Sequence, residues 1–170
     1  MTFHFKIGKH RPRPIYWLRW FILLFNRTEI KRQVVFPFSS KYELDNGDQQ
    51  DWNKLFGISF TMDPHDGSAR YGWAYNPEKQ RFELSAYCYL NGEQVMEHLC
   101  DCIPNLAYDC HLIITREDYK FRVYRKSDMA VMCSAEFSKG HRRRNGYLLG
   151  PFFGGNQAPK KLLTIQLKKI

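Results

Sequence analysis

The sequence lacks the short motifs that identify common catalytic sites. It contains no Gly-Xaa-Ser-Xaa-Gly, no His-Glu-Xaa-Xaa-His and no phosphate-binding loop. These absences argue against a serine-hydrolase nucleophile, a zinc-protease helix and a nucleotide-binding loop of the usual kind. We therefore assign no catalytic residue from the sequence, and we expect neither a metal ion nor a cofactor.

Long apolar runs are also missing. The best candidate, Ile15–Phe25, covers eleven residues and is interrupted by Arg19, whereas a membrane-spanning helix needs about 20 apolar residues. No small-residue cleavage site of a secretory signal follows the run, so we expect a cytoplasmic protein. Two interpretations of the run stay open: a strand or short helix that covers one end of the fold, or a segment that lies at a lipid surface.

Positive charge is concentrated in one part of the chain. The net charge is +9, but residues 1–33 hold eight Lys or Arg against one acid, which leaves +2 for the remaining 137 residues. A basic surface spread over a folded face, as in many nucleic-acid-binding domains, is therefore not expected. Residues 1–33 form either a solvated arm or a segment that contacts an anionic surface.

The cysteines follow neither a disulfide nor a zinc pattern. The chain of 170 residues contains five cysteines, of which Cys88 and Cys133 lie in apolar, strand-like runs. Cys100 and Cys102 would share one face of a strand, but no second Cys or His pair at zinc-site spacing accompanies them. We expect five reduced thiols, as in a cytosolic protein.

What the sequence does contain, from residue 28 onward, is a series of short alternating runs separated by turn residues, which is typical of all-β proteins. With about ten such strands and no helical pattern after residue 33, it predicts one domain over residues 1–170, an antiparallel two-sheet β-sandwich of the jelly-roll, concanavalin A-like type. The side chains predicted to face the core are Trp52, Phe56, Ile58, Phe60 and Met62; Tyr119, Phe121 and Val123; Met129, Val131, Cys133, Ala135 and Phe137; and Leu163, Ile165 and Leu167.

The sharpest local prediction is a β-hairpin around Asn91-Gly92. These two residues accept the positive φ angles of a type I′ turn, and the strand register then follows from the turn. Tyr89 should lie opposite Gln94, and Ser85 opposite His98. The face of the hairpin that carries Cys88 is predicted to be buried.

The other face of this hairpin is polar but aromatic, which is unusual for a plain solvent face. Aromatic rings beside hydrogen-bonding groups suit a sugar ligand, and the neighbouring strand and the rim of the sheet add further candidates. The residues predicted to bind a ligand are Arg70, Trp73, Tyr75, Glu83, Tyr87, Tyr89, His98 and Asn156. Arg70 lies on the opposite face of its strand from Trp73 and Tyr75. An alternative is that these aromatics pack beneath the N-terminal segment.

A glycine-rich stretch near the C-terminus is the most distinctive part of the sequence. Gly154 and Gly155 predict backbone positions with no room for a β-carbon, as in a bulge or a close approach of two chains. Pro151 cannot donate a backbone hydrogen bond and therefore predicts a sheet edge or a kink.

Four blocks of the sequence carry a resemblance. Asp51–Phe60, Ser68–Trp73, Ser85–Glu93 and Gly150–Pro159 resemble a group of small bacterial proteins, mainly from gut Bacteroides-type organisms, over roughly residues 40–170. This resemblance implies no particular activity. The last block is also similar to the final strands of concanavalin-like jelly rolls in some polysaccharide lyases. In those lyases His-Asp often follows the proline, whereas Lys160 and Lys161 follow it here, and their catalytic residues have no match in this chain.

Three classes of function remain open. The first is a non-catalytic module that binds a glycan. The second is a carbohydrate-active enzyme, a polysaccharide lyase or glycoside hydrolase, with Tyr87 or His98 as base and Arg70 neutralising a uronate. The third is an intracellular scaffold or assembly protein whose basic N-terminal arm contacts nucleic acid, an anionic membrane or another subunit. The sequence predicts no particular oligomeric state.

Overall fold

The computed structural model describes residues 1–12, 23–24, 28–45, 47–140 and 145–170, with only the backbone described at 23–24. Most of the apolar run Ile15–Phe25 lies outside these ranges, so its two interpretations remain predictions. In the described part of the chain, helical structure is limited to two 3-10 turns, Phe38–Ser40 and Asp48–Gln50. No helix among the described residues is long and apolar enough to span a membrane.

The described residues form twelve strands, which are numbered in chain order. They are β1 (Thr2–Phe5), β2 (Leu23–Leu24), β3 (Glu29–Val35), β4 (Asn53–Ser59), β5 (Gly67–Asn76), β6 (Arg81–Leu90), β7 (Glu93–Cys102), β8 (Ala107–Ile114), β9 (Asp118–Arg125), β10 (Val131–Ser138), β11 (Gly146–Leu149) and β12 (Leu163–Lys169).

These strands form two antiparallel sheets of six strands each. Sheet A has the order β1-β12-β3-β8-β9-β10, and sheet B has the order β2-β11-β4-β5-β6-β7. Each sheet mixes strands from distant parts of the chain, so that the first strand β1 pairs with the last strand β12. The predicted fold class, an all-β antiparallel β-sandwich, is confirmed.

The core lies between the inner faces of the two sheets and follows the alternation of the sequence. Tyr119, Phe121 and Val123 of β9 are fully buried, as are Leu163 and Ile165 of β12. Because successive residues of a strand point to opposite faces, this alternation decides which side chains enter the core. The predictions for these two strands are confirmed.

Tyr71 connects the two sheets through the core. Its ring is fully buried, and its hydroxyl accepts a hydrogen bond from the Arg122 backbone N–H at 3.0 Å. The same oxygen lies 2.9 Å from the backbone carbonyl oxygens of His111 and Arg122. A buried hydroxyl needs such partners, and here they belong to β8 and β9 of the opposite sheet.

The hairpin prediction is confirmed in its register. Asn91 and Gly92 have φ angles of 53° and 83°, as a type I′ turn requires. Tyr89 pairs with Gln94 and Ser85 pairs with His98. Cys88 is fully buried, so the opposite face of the hairpin is the outer face of sheet B.

Three predicted core residues are exposed instead. Met129 has a left-handed φ of 54° in the turn before β10, and Val131 precedes a bulge at the start of this edge strand. Both are exposed by more than half of their surface, as is Met62, which lies beyond the end of β4. Period-two alternation fails at these positions because it holds only within a regular strand.

Candidate ligand-binding face

A β-bulge in β4 sets the composition of the outer face of sheet B. The register between β4 and β5 shifts between Lys54 and Phe56. Phe56 therefore points into the core while Lys54 lies opposite Gly72 on the outer face. Asn53 is buried on the inner side, and Trp52 lies on the outer side, where its ring meets His98 edge-on at a centroid distance of 6.5 Å. The prediction that Trp52 faces the core is therefore wrong.

We use the term ligand face for the set of outer side chains that follows from this register. Two rows of paired residues cross the sheet: Lys54, Gly72, Ser85 and His98 form one row, and Gly57, Arg70, Tyr87 and Met96 form the next. The ligand face consists of Trp52, Lys54, Arg70, Ser85, Tyr87, Tyr89 and His98.

Two cations lie side by side on the ligand face. Lys54 Nζ is 4.4 Å from the centre of the Tyr87 ring, and Arg70 Cζ is 5.4 Å from the same centre and 5.8 Å from that of Tyr89. Lys54 Nζ also donates a hydrogen bond to the Trp52 carbonyl oxygen at 2.6 Å. Burial, with a further contribution from Arg70, lowers the pKa of Lys54 to about 8. Burial also lowers the pKa of Arg70.

The ligand face is closed at its centre and open at its ends. Arg70 is 7% exposed, Tyr87 5% and Ser85 0%. Trp52 and Tyr89 are half-buried, whereas Gln94 and His98 on β7 are exposed. The aromatic rings of the ligand face are thus accessible at its edges. The alternative, that the N-terminal segment covers these rings, depends in part on residues outside the described ranges and stays a prediction.

An open cleft of about 440 Å³ adjoins one end of the ligand face. We call it the Trp52 cleft. Trp52 and the small side chain of Ala74 line it, and Gln50, Asn76 and Glu83 supply polar groups. The Asn76 amide donates to Glu83 Oε1 at 3.0 Å, which fixes the carboxylate at the cleft wall. An aromatic side chain next to a few placed polar groups is the usual composition of a small-ligand site.

Glu83 also belongs to a small charged cluster. One ligand atom each of Glu83, His98 and Asp101 lies within 4.8 Å of the others, and His98 Nε2 is 3.2 Å from Asp101 Oδ1. These three residues could hold a divalent ion. Lys79, however, already pairs with both carboxylates, with its Nζ 3.0 Å from Glu83 Oε1 and 3.6 Å from Asp101 Oδ2.

The predicted site residues separate into three groups. Arg70, Tyr87 and Tyr89 lie together at the centre of the face, and Glu83 and His98 lie at its end. The other three predicted residues, Trp73, Tyr75 and Asn156, lie elsewhere.

Trp73 and Tyr75 lie in the core. Trp73 is fully buried against Phe36 and Phe82, and Tyr75 is 2% exposed and only borders the Trp52 cleft. Their burial follows from the alternation of β5, which turns Arg70 outward and these two rings inward. A ligand on the outer surface therefore does not reach Trp73, and it meets Tyr75 only at the border of the Trp52 cleft.

Asn156 is exposed in the glycine-rich stretch, which packs against the loop that begins β4. Gly154 N–H donates to Asn53 Oδ1 at 2.7 Å, and Gln157 N–H donates to Asp48 Oδ2 at 2.9 Å. A β-carbon on Gly154 would lie 2.4 Å from the Trp52 carbonyl oxygen, so glycine is required by the close approach. Asn156 therefore lies beside the contacts that support the Trp52 cleft and outside the ligand face.

The predicted site residues do not include three members of the ligand face, Trp52, Lys54 and Ser85. Strict alternation from Phe56 places Trp52 inward, and a bulge reverses that assignment. The sequence signal nearest to the bulge is Gly57, because a β-carbon there would lie 2.0 Å from the Ala69 carbonyl oxygen and 2.8 Å from Arg70 Cγ. A glycine in a strand interior marks such a close approach, and here it lets Arg70 lie across β4.

Comparison with known proteins identifies the fold but no family. No protein-family model and no curated protein matches the chain. The resemblance to Bacteroides-type proteins therefore stays a prediction.

Several solved structures share the architecture. An alginate lyase from Klebsiella pneumoniae superposes with a TM-score of 0.60 at 7% identity, over 84% of this chain and 59% of the lyase. A protein of unknown function from Saccharomyces cerevisiae has a TM-score of 0.56 at 10% identity, over 88% of this chain and 72% of its own. Scytalido-glutamic peptidase has a TM-score of 0.54 at 9% identity, over 86% and 78%. The chain spans less than two thirds of the lyase, and identities this low concern the fold alone.

Proposed function

We propose that the protein is a non-catalytic β-sandwich module that binds a glycan on the ligand face, with Trp52 as its aromatic platform. The observation that carries this proposal is the Trp52 cleft, where a half-buried indole faces outward beside Gln50 and Glu83. Sugar C–H groups pack on aromatic rings while sugar hydroxyls bond to carboxylate and amide groups. An alginate lyase shares the fold, so a polysaccharide ligand is compatible with this architecture.

The charged cluster beside the cleft favours binding over hydrolysis. A glycosidase needs two carboxyl groups with different protonation states, one acting as acid and the other as base or nucleophile. Lys79 pairs with both Glu83 and Asp101, so the two carboxylates share one cation instead of lying in the two different environments that such a pair needs. Tyr87 is a poor base for a lyase, because burial raises its pKa and its hydroxyl donates to Gln94 Oε1 at 2.8 Å.

Titration of the protein with a panel of neutral and acidic polysaccharides tests the proposal, with isothermal calorimetry as the readout. We expect Trp52→Ala to weaken binding by at least about tenfold, which is the loss of one aromatic contact of about 1.4 kcal/mol. Phe38→Ala is a matched control, since Phe38 is an exposed aromatic outside the ligand face. Absence of binding to every polysaccharide, or binding that is insensitive to Trp52→Ala, contradicts the proposal. New reducing ends or unsaturated uronate products would instead support the enzyme class.

A further inference from the structure

The centre of the ligand face contains an unusual concentration of unpaired polar atoms. Among the described residues, four buried side-chain nitrogen or oxygen atoms have no hydrogen-bond partner, and three of them lie here. These three are Nε and Nη2 of Arg70 and Oγ of Ser85. Buried polar groups are nearly always paired in folded proteins, and leaving one unpaired costs free energy. Their clustering on one face indicates a missing partner.

The two unpaired nitrogens of Arg70 form one edge of the guanidinium group. Nε and Nη2 present their N–H bonds in parallel on the side away from Cδ, which is the fork that holds both oxygens of a carboxylate. The aromatic rings of Tyr87 and Tyr89 lie 5.4 and 5.8 Å from Arg70 Cζ. They stabilise the cation through their π faces, but they do not replace acceptors in the plane of the fork.

The charge of this region is also uncompensated. In the described ranges, no carboxylate forms an ion pair with Lys54 or Arg70. Among the charged groups near Lys54, repulsion from Arg70 lowers the pKa of Lys54 more than attraction to Asp51 raises it. Two neighbouring cations that are mostly removed from water are unfavourable without an anion. A planar anion that bridges them would satisfy the fork and the charge together.

This inference rests on the proposed glycan-binding function. We propose that the glycan carries carboxylate groups and that Arg70 and Lys54 bind one of them. The spacing along the sheet fits a chain of sugars. Arg70 and Ala74 are four residues apart on β5, so the carboxylate position lies about 14 Å from the Trp52 cleft at roughly 3.4 Å per residue. A short oligosaccharide can contact both. The class of ligand is therefore a polyuronate.

Arg70 and its matched counterpart on the other sheet allow a controlled test. Arg70→Lys keeps the charge but removes the fork. Arg122→Lys makes the same change on β9, at an exposed position on the outer face of sheet A. Lys54→Gln provides a second variant, which retains the hydrogen-bonding end but not the charge. Thermal unfolding of each variant shows whether it is folded before binding is measured.

The experiment measures affinity for alginate, polygalacturonate and hyaluronan and for the carboxyl-reduced form of each polymer, with dextran sulfate as a probe for sulfate esters. We expect at least one polyuronate to bind, and carboxyl reduction, Arg70→Lys and Lys54→Gln each to weaken that binding by about tenfold or more. Arg122→Lys should change it by less than about twofold.

The outcomes separate the two proposals. Equal binding of the reduced polymers, with the effect of Trp52→Ala retained, overturns the carboxylate inference and leaves the glycan-binding function intact. If dextran sulfate binds as tightly as the polyuronates, and Arg70→Lys weakens neither interaction, the carboxylate inference is overturned in favour of unspecific charge attraction. Uronate binding that depends on Arg70 but not on Trp52 supports the carboxylate inference and contradicts the proposed role of Trp52 as the aromatic platform. Absence of binding to all polymers overturns both.

Discussion

The ammonium of Lys54 lies 4.4 Å from the centre of the Tyr87 ring, on the outer face of sheet B. Burial and the neighbouring Arg70 lower its pKa to about 8 from an ordinary value of 10.5. The unfolded chain therefore holds a proton between pH 8 and 10.5 that the folded protein releases, so this residue makes folding more favourable as the pH rises through that range. Below pH 8 the charged lysine destabilises the fold.

Replacing this lysine tests the electrostatic cost directly. We expect Lys54→Met to stabilise the protein relative to the wild type at pH 7, by on the order of 2 kcal/mol before the loss of the bond to the Trp52 carbonyl is subtracted. The advantage should shrink as the pH rises from 8 towards 10.5. Thermal unfolding of both proteins across this range measures it, and Lys161→Met, at an exposed position, should show no such trend. A stability difference that is constant or grows with pH would contradict the assignment.

Asn53 stabilises the base of the Trp52 cleft from inside the fold. Its Nδ2 donates to the Tyr42 hydroxyl at 2.8 Å and its Oδ1 accepts from Gly154 N–H at 2.7 Å, while the side chain is 1% exposed. Asn53→Ala should cost about 2–4 kcal/mol, because it removes two hydrogen bonds and leaves a buried N–H unpaired. Calorimetry should show a Tm lower by roughly 4–16 °C.

Hydrogen exchange distinguishes this local role from a general loss of packing. In Asn53→Ala the Gly154 amide should exchange faster than in the wild type, whereas amides in β9 should change only with global stability. Asn156→Ala, at an exposed position two residues after Gly154, is the control and should leave the Tm nearly unchanged. An unchanged exchange rate of the Gly154 amide would rule out this local role of Asn53.

Much of the fold, but less of the site, is predictable from the sequence. The Asn91-Gly92 turn determines the register of β6 with β7 as far as the Ser85–His98 pair, because a two-residue hairpin fixes the pairing that follows it. Beyond that pair a register shift places Leu84 opposite Cys100. Arg70, Tyr87 and Tyr89 are predictable as site residues because they lie in regular alternating strands. The outward direction of Trp52 is not predictable, because the intervening bulge has no strong sequence signal.

Long-range pairing explains the remaining differences. Their aromatic character predicts Trp73 and Tyr75 as ligand contacts, yet their inward direction follows from the same alternation that turns Arg70 outward. The approach of Gly154 to Trp52 joins segments about 100 residues apart. Local patterns identify such positions as special without identifying their partners.

Gly57 lies so close to β5 that a substitution adding one methyl group should push β4 and β5 apart. An added β-carbon would lie 2.0 Å from the Ala69 carbonyl oxygen and 2.7 Å from Arg70 Cα, both backbone atoms that cannot rotate away. Gly57→Ala should therefore destabilise the fold by about 3 kcal/mol or more. Gly92→Ala is the contrast, since it meets nothing within 4 Å and suffers only from its φ of 83°, at about 1 kcal/mol. Denaturant titration measures both, and a smaller loss for Gly57→Ala would contradict the packing argument.

Four cysteines from distant strands converge where the edge strands β7 and β10 of the two sheets meet. Cys100 and Cys102 point inward from β7, and Cys110 and Cys133 belong to one row of sheet A. The thiols of Cys102 and Cys133 lie close enough to that of Cys100 to influence its pKa. All five cysteines are free thiols, and contact with Cys100 together with burial raises the pKa of Cys133.

A Cys100–Cys133 disulfide should therefore form slowly when the protein is incubated with oxidised glutathione, with two molecules of reduced glutathione released for each bond. Formation should accelerate as the pH rises, because the thiolate is the attacking species. The bond would join sheet A to sheet B and close a loop of about 33 residues, which the chain-entropy model credits with about 3–4 kcal/mol. Peptide mapping under non-reducing conditions identifies the pair. Cys133→Ser should abolish the cross-link and Cys88→Ser, in the core of sheet B, should not. A Cys100–Cys102 bond as the main product would show that the two edge strands are farther apart in solution than their contact implies.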